Sequence, residues 1–186
     1  MQSAPKKKPV SNMACTELRL AGTEPESIVD GRGIRYTVFV QGCPHNCSGC
    51  QNPQTHDFSG GYTASIDSLL AEMKENPLLR GVTFSGGEPF AQANALADLA
   101  ERLKRETTLD LTVYSGWTYE ELLKCTKPGV HRLLDLTDYL VDGPYIETQR
   151  DLTLHFRGSR NQRVIDMNAT RREGHIVLDD LDEETE

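Results

Sequence analysis

Apolar residues gather in short runs between polar turns, and four of those runs share one form. Tyr36–Val40, Val82–Phe84, Leu111–Tyr114 and Tyr139–Val141 are rich in β-branched and aromatic residues and have the length of buried strands. Each runs into a loop carrying glycine or cysteine. The segments between them have helical spacing. Ile66, Leu69, Leu70 and Met73 form one apolar stripe behind Ser65, which suits a helix N-cap, and Asn76-Pro77 ends it. Gln92–Arg105 carries a second stripe of Leu96, Leu99, Ala100 and Leu103. Thr118 caps a third helix from Tyr119 to Lys124, with Glu120 and Glu121 near its positive end and Cys125 closing it. Repetition of strand, loop and helix predicts an α/β fold with a mostly parallel sheet. In such sheets ligands bind at the carboxyl ends of the strands.

The flanking stretches read differently. Residues 1–13 hold Pro5, Lys6, Lys7, Lys8 and Pro9 with few apolar groups, which predicts a disordered tail. A short strand is expected from Cys15 to Leu20 and a turn from Gly22 to Pro25. Pro53–Gly61 reads as a polar loop and Lys127-Pro128-Gly129 as a turn. Val164-Ile165 and His175–Leu178 are expected to pair as a hairpin at the sheet edge. Six of the last eight residues are acidic. The expected organisation is a tail at 1–13, one domain at 14–178 and an acidic tail at 179–186.

The 186 residues suit one compact core. A net charge of −8 argues against sequence-independent binding of nucleic acid. No apolar run is long enough to span a bilayer, and none follows the early lysines as a secretory signal requires. A cytoplasmic location is therefore expected, where clustered cysteines bind metal or catalyse rather than form disulfides.

Three of the five cysteines fall in eight residues, as Cys43-x3-Cys47-x2-Cys50. Three thiolates on one loop are a ligand set short of one member. A [4Fe–4S] cubane held by three cysteines leaves one iron open to a small molecule. A zinc site of Cys3His type, with His45, His56 or Cys125 as fourth ligand, is the alternative. The second strand runs into Ser85-Gly86-Gly87-Glu88-Pro89, where missing Cβ atoms let backbone approach a ligand. Taken alone, that stretch also reads as an ordinary strand-to-helix turn. The arginines between Arg150 and Arg163 suit a solvated face, with a partner-docking patch as the second choice. His45 reads as an exposed loop residue, and Tyr114 and Trp117 as packing.

With these residues in view, Cys43-x3-Cys47-x2-Cys50 resembles the signature of the radical S-adenosylmethionine superfamily, and Ser85–Pro89 resembles its second motif. Within that superfamily the chain most resembles the subgroup that activates anaerobic (class III) ribonucleotide reductase. Three stretches carry this: Val29-Asp30-Gly31 with Gly33-Ile34-Arg35, Leu140-Val141-Asp142-Gly143-Pro144, and Arg157-Gly158-Ser159 with Asn161-Gln162-Arg163. Gln51 stands where the subgroup usually has an aromatic residue, and Arg32 where it often has proline.

The resemblance implies a partial (incomplete) TIM-type β/α barrel. It implies a [4Fe–4S] cluster on Cys43, Cys47 and Cys50, with S-adenosyl-L-methionine bound to the open iron. By the same pattern, Gly49, Cys50 and Gln51 bring backbone beside the cofactor. Gly86, Gly87 and Glu88 hold the methionine ammonium, mainly through backbone carbonyls. The implied reaction is reductive cleavage to a 5′-deoxyadenosyl radical, which takes hydrogen from a glycine of the partner reductase. A low-potential donor such as flavodoxin or ferredoxin supplies the electron, and no acid–base side chain is required. Activation of pyruvate formate-lyase or another glycyl-radical enzyme is the alternative within the superfamily. A non-catalytic iron–sulfur or zinc module is the alternative outside it.

Overall fold

The computed structural model describes residues 16–179. Cys15, the N-terminal tail and all but the first residue of the acidic end lie outside them. Seven strands form one sheet. They are β1 (Glu17–Ser27), β2 (Arg35–Val40), β3 (Tyr62–Ser65), β4 (Gly81–Gly86), β5 (Asp110–Tyr114), β6 (Tyr139–Asp142) and β7 (Arg163–Asp166). Their order is β3-β1-β2-β4-β5-β6-β7, and the two ends do not meet. The sheet is thus the open, incomplete α/β form expected. Its centre, β2-β4-β5-β6, is parallel, while β1, β3 and β7 pair antiparallel at the flanks.

The central strands are buried on both faces, with apolar side chains on one and Thr37, Thr83 and Thr112 on the other. Val38, Val40, Val82, Phe84, Leu111 and Val113 have no exposed surface. Helices α1 (Ile66–Glu75) and α2 (Ala93–Glu106) supply much of that cover. Ser65 caps α1 by accepting from Asp67 N–H at 3.1 Å, and Leu96, Leu99, Ala100 and Leu103 of α2 are fully buried. Helix α3 (Tyr119–Lys124) opens on a complete capping box between Thr118 and Glu121. Among the described residues, no helix is long and apolar enough to cross a membrane.

Four departures from the sequence reading have physical causes. Gly22–Pro25 is no turn: β1 runs through it with two register shifts. Strand β3 pairs only with Glu17–Leu20, so Pro25 sits on an edge where its missing N–H costs little. Strand β3 occupies the stretch between the polar loop ending at Gly61 and the helix that Ser65 caps, where no element is expected from the sequence. Pro128-Gly129 starts a helix, α4 (Pro128–Leu136), with proline in its first turn and Val130, Leu133 and Leu134 buried against α2. At the far edge β7 pairs with β6, and α5 (Met167–Glu173) separates it from residues 175–178. The expected hairpin shrinks to a bridge between Ile165 and Leu178, after which Asp179 N–H bonds Val164 O at 2.8 Å.

Candidate functional site

The loops leaving β2, β4, β5 and β6 surround one cavity of about 370 Å³. Cys43, Cys47, Cys50 and Gln51 line it from the first loop, and Gly86, Gly87 and Glu88 from the second. Ser115, Gly116 and Gly143 come from the third and fourth. Gly49 is absent from the lining, and a Cβ built there would meet the Glu147 carboxyl. Cys125, at the end of α3, is absent from it too.

The cysteine loop and the glycine turn are joined at their bases. Gly87 N–H bonds Val40 O at 2.8 Å, and Glu88 N–H bonds Gly42 O at 2.9 Å. Gly86 has φ +94°, a left-handed backbone open to glycine. A Cβ on Gly87 would lie 2.4 Å from Gly42 O. No larger residue fits there without moving backbone. The cysteine loop closes on its far side through Gly42 N–H to Thr55 O and Cys43 N–H to His56 O, at 2.8 and 3.1 Å. Gln41 spans its base, donating to the carbonyls of Gln54 and Asp57.

Glu88 has no exposed surface, and its carboxylate is enclosed by four groups. Phe90 N–H at 3.0 Å, Ser115 O–H at 3.1 Å and Gly116 N–H at 2.8 Å all donate to it. His45 Nε2 lies 2.8 Å from its second oxygen. This side chain is committed to the protein. The exposed histidine expected at position 45 is instead a tethered one. Its ring also packs edge-on against Trp117 at 4.5 Å. Trp117 is packing, as expected. Tyr114 lines the cavity, donates to Phe156 O at 2.6 Å, and has its hydroxyl pKa pushed up by burial.

The stretches that mark the subgroup build the remaining walls. Asp30 lines the cavity and accepts from Ser27 and Thr37 hydroxyls, while Thr83 donates to its carbonyl. Beneath it Arg35, 1% exposed, reaches Thr83, Val82 O and Asp110. The two C-terminal stretches prove to be one lock. Asn161 bonds Pro144 O at 2.7 Å, Gln162 bonds Gly143 O at 3.1 Å, and Arg163 bonds the Asp142 carboxylate. The Gln162 oxygen in turn accepts from Gly158 and Ser159 N–H. Arg163 pairs with Asp142 and Glu120, and Arg160 with Asp151.

The donor chemistry suits an iron–sulfur cluster. Burial pushes the Cys43 thiol pKa up; the His45 N–H works against that and the Glu88 charge adds to it. A bound cation reverses that cost by favouring thiolate. Among the described residues, no three His, Cys, Asp or Glu side chains converge on a point that could hold a single ion.

Residues 29–165 match the model of the 4Fe-4S single cluster domain family. The anaerobic ribonucleoside-triphosphate reductase-activating protein of Vibrio cholerae is 39% identical over 147 residues, covering 75% of this chain and 92% of that protein. The pyruvate formate-lyase-activating enzyme of Clostridium pasteurianum is 39% identical over 116 residues, covering 58% and 49% respectively. Among solved structures, QueE from Escherichia coli is similar, with a TM-score of 0.47 and 16% identity over 73% of this chain and 75% of that one.

Proposed function

Because the chain belongs to the 4Fe-4S single cluster domain family, alongside anaerobic ribonucleoside-triphosphate reductase-activating proteins, we propose that it is a radical S-adenosylmethionine activase of an anaerobic ribonucleotide reductase. Cys43, Cys47 and Cys50 would hold the [4Fe–4S] cluster, leaving one iron without a protein ligand. When bound, the reduced cluster and S-adenosyl-L-methionine supply a 5′-deoxyadenosyl radical that takes hydrogen from a glycine of the reductase. The protein binds, orients and excludes water. Gly86 and Gly87 offer carbonyls with no Cβ in the way. Residue 88 would contribute its carbonyl alone, since its carboxylate is bonded to His45, Phe90, Ser115 and Gly116. Gly49, Cys50 and Gln51 would pass backbone beside the cofactor. The electron donor in this reading is a flavodoxin or ferredoxin in the cytoplasm. The working unit is residues 14–178, and neither nucleic acid nor membrane takes part.

The observation that carries the reading is the meeting of three thiols and a glycine turn on one cavity. Anaerobic purification should give the visible spectrum of an iron–sulfur protein. Dithionite and S-adenosyl-L-methionine should then give 5′-deoxyadenosine, and adding the reductase should give a glycyl radical by electron paramagnetic resonance. Absence of 5′-deoxyadenosine would sink the activase. The Clostridium relative supports a second reading, activation of a pyruvate formate-lyase, though the match spans half of that protein. Presenting each glycyl-radical enzyme separately decides between them.

A further inference from the structure

We propose that His45 is a positioning residue whose hydrogen bond to Glu88 fixes the crest of the cysteine loop relative to the Gly86-Gly87 turn. The inference rests on the proposed role of that loop as a cluster site. His45 stands midway between Cys43 and Cys47, so whatever holds its ring sets the span carrying two of the three thiols. The loop has few other fastenings. Its base is closed by backbone bonds at Gly42 and Cys43, and beyond them Cys50 N–H bonds Cys47 O within the loop. Ser48 donates to Glu147 at the exposed end. Asn46 has φ +49°, an uncommon backbone for a residue with a Cβ.

The seat for His45 is built by other elements. Glu88 is an acceptor already oriented by the N–H groups of Phe90 and Gly116 and by the Ser115 hydroxyl. The imidazole nitrogen facing it therefore donates. Gly116 leaves room for the ring: a Cβ there would lie 2.4 Å from it. Trp117 packs on its other side with ring centroids 4.5 Å apart. A buried carboxylate, a glycine clearance and an aromatic edge, all from the ends of β4 and β5, thus receive one side chain of the cysteine loop. The bond joins residues 43 positions apart in sequence. It ties the thiols to the backbone that would hold the second half of the cofactor.

The test begins on the cluster-free full-length protein, with iodoacetamide labelling of each cysteine followed by mass spectrometry and Cys125 as internal reference. His45→Ala should speed labelling of Cys43 and Cys47 by at least about tenfold, the lower end of what one hydrogen bond to a charged group corresponds to. His45→Gln, whose amide can reach the same carboxylate, should return close to the native rate. Gly116→Ala, which displaces the ring without removing it, should match His45→Ala and serves if that variant folds poorly. Native labelling rates in both His45→Ala and Gly116→Ala overturn the proposal. So does a His45→Gln protein as fast as His45→Ala. With cluster loaded, His45→Ala should lose iron to a chelator faster and show a broadened reduced-state spectrum, and His45→Gln should restore both. If the labelling pattern holds while the native protein takes up no cluster, the tether stands and the cluster reading falls.

Discussion

Glu88 sits without exposed surface among four hydrogen-bonding groups, whereas the facing loop lifts Pro44, Asn46, Ser48 and Gly49 into solvent. Both flank the same cavity, and both leave the carboxyl end of a parallel strand. They differ in where their polar groups find partners. The β4–β5 side is finished by the fold: carboxylate, turn and strand ends satisfy one another before any ligand arrives. The cysteine loop is held at its base and at His45, and its three thiols have few bonds of their own, with Cys50 Sγ accepting weakly from Asn52 N–H at 3.4 Å. A site divided this way keeps one half rigid for recognition and leaves the other half to be completed by what its thiols bind.

Removing a thiol should give the largest effect, because it strikes the half that depends on its ligand. Cys47→Ala should lower cluster retention and 5′-deoxyadenosine formation by more than about a hundredfold, since even supporting residues around metal sites are worth 10- to 100-fold. Its thermal stability without cluster should stay near the native value, as Cys47 is only partly buried. The glycine turn should respond the other way. Gly87→Ala forces a Cβ to within 2.4 Å of Gly42 O, with backbone on both sides. It should cost about 3 kcal/mol, the upper end for overpacking. In a protein of this size that lowers the melting temperature by about 6–12 °C. Equal stability of the two variants would erase the contrast between the halves.

Glu88→Gln sharpens it further. Two of the four groups on that carboxylate are backbone N–H donors and cannot turn away. An amide nitrogen must face at least one of the four groups. A loss of about 2 kcal/mol, read from urea unfolding, is expected for a buried donor left unpaired.

The same contrast explains what the sequence reveals. Strands β2, β4, β5 and β6 and helices α1, α2 and α3 follow from local spacing and caps such as Ser65 and Thr118. The three cysteines and the glycine turn are legible because their chemistry is concentrated in a few adjacent residues. Helix α4 was hidden by Lys127-Pro128-Gly129, where proline signals a helix start as readily as a turn. The roles of His45 and Glu88 were out of reach for another reason. Their bond, and those of Glu88 to Ser115 and Gly116, join separate loops that only the parallel sheet brings together. The pairing of Asn161-Gln162-Arg163 with Asp142-Gly143-Pro144 is non-local in the same way, so its residues could be noticed but not matched.

Acid should weaken the scaffold at a point remote from both halves. Burial pushes the Asp138 carboxyl up, but the Lys104 ammonium, Asn168 and Leu111 N–H outweigh it and hold the pKa below its ordinary value. A depressed folded pKa gives stability that is present above the unfolded value, about 3.9, and is lost as pH falls toward the folded one. Asp138→Asn should therefore cost about 1 kcal/mol at neutral pH and flatten the stability curve below about pH 4. Urea midpoints across that range check it, and an unchanged slope would detach Asp138 from acid sensitivity.

The smallest effect belongs to the other fastening of the cysteine loop. Ser48 donates to Glu147 at 2.9 Å, close to the 2.8 Å of His45 and Glu88, so distance alone would rank the two bonds together. Their surroundings separate them. Ser48 and Glu147 are both exposed, and water replaces either partner at little cost. His45 meets a carboxylate with no exposed surface, and its own ring is largely buried. Ser48→Ala should change stability by less than about 0.5 kcal/mol, as surface substitutions do. In cysteine labelling of the cluster-free protein it should leave Cys47 near its native rate while His45→Ala raises it. If Ser48→Ala frees the loop as much as His45→Ala does, burial is not what separates the two fastenings, and the division between a finished half and an open half loses its physical basis.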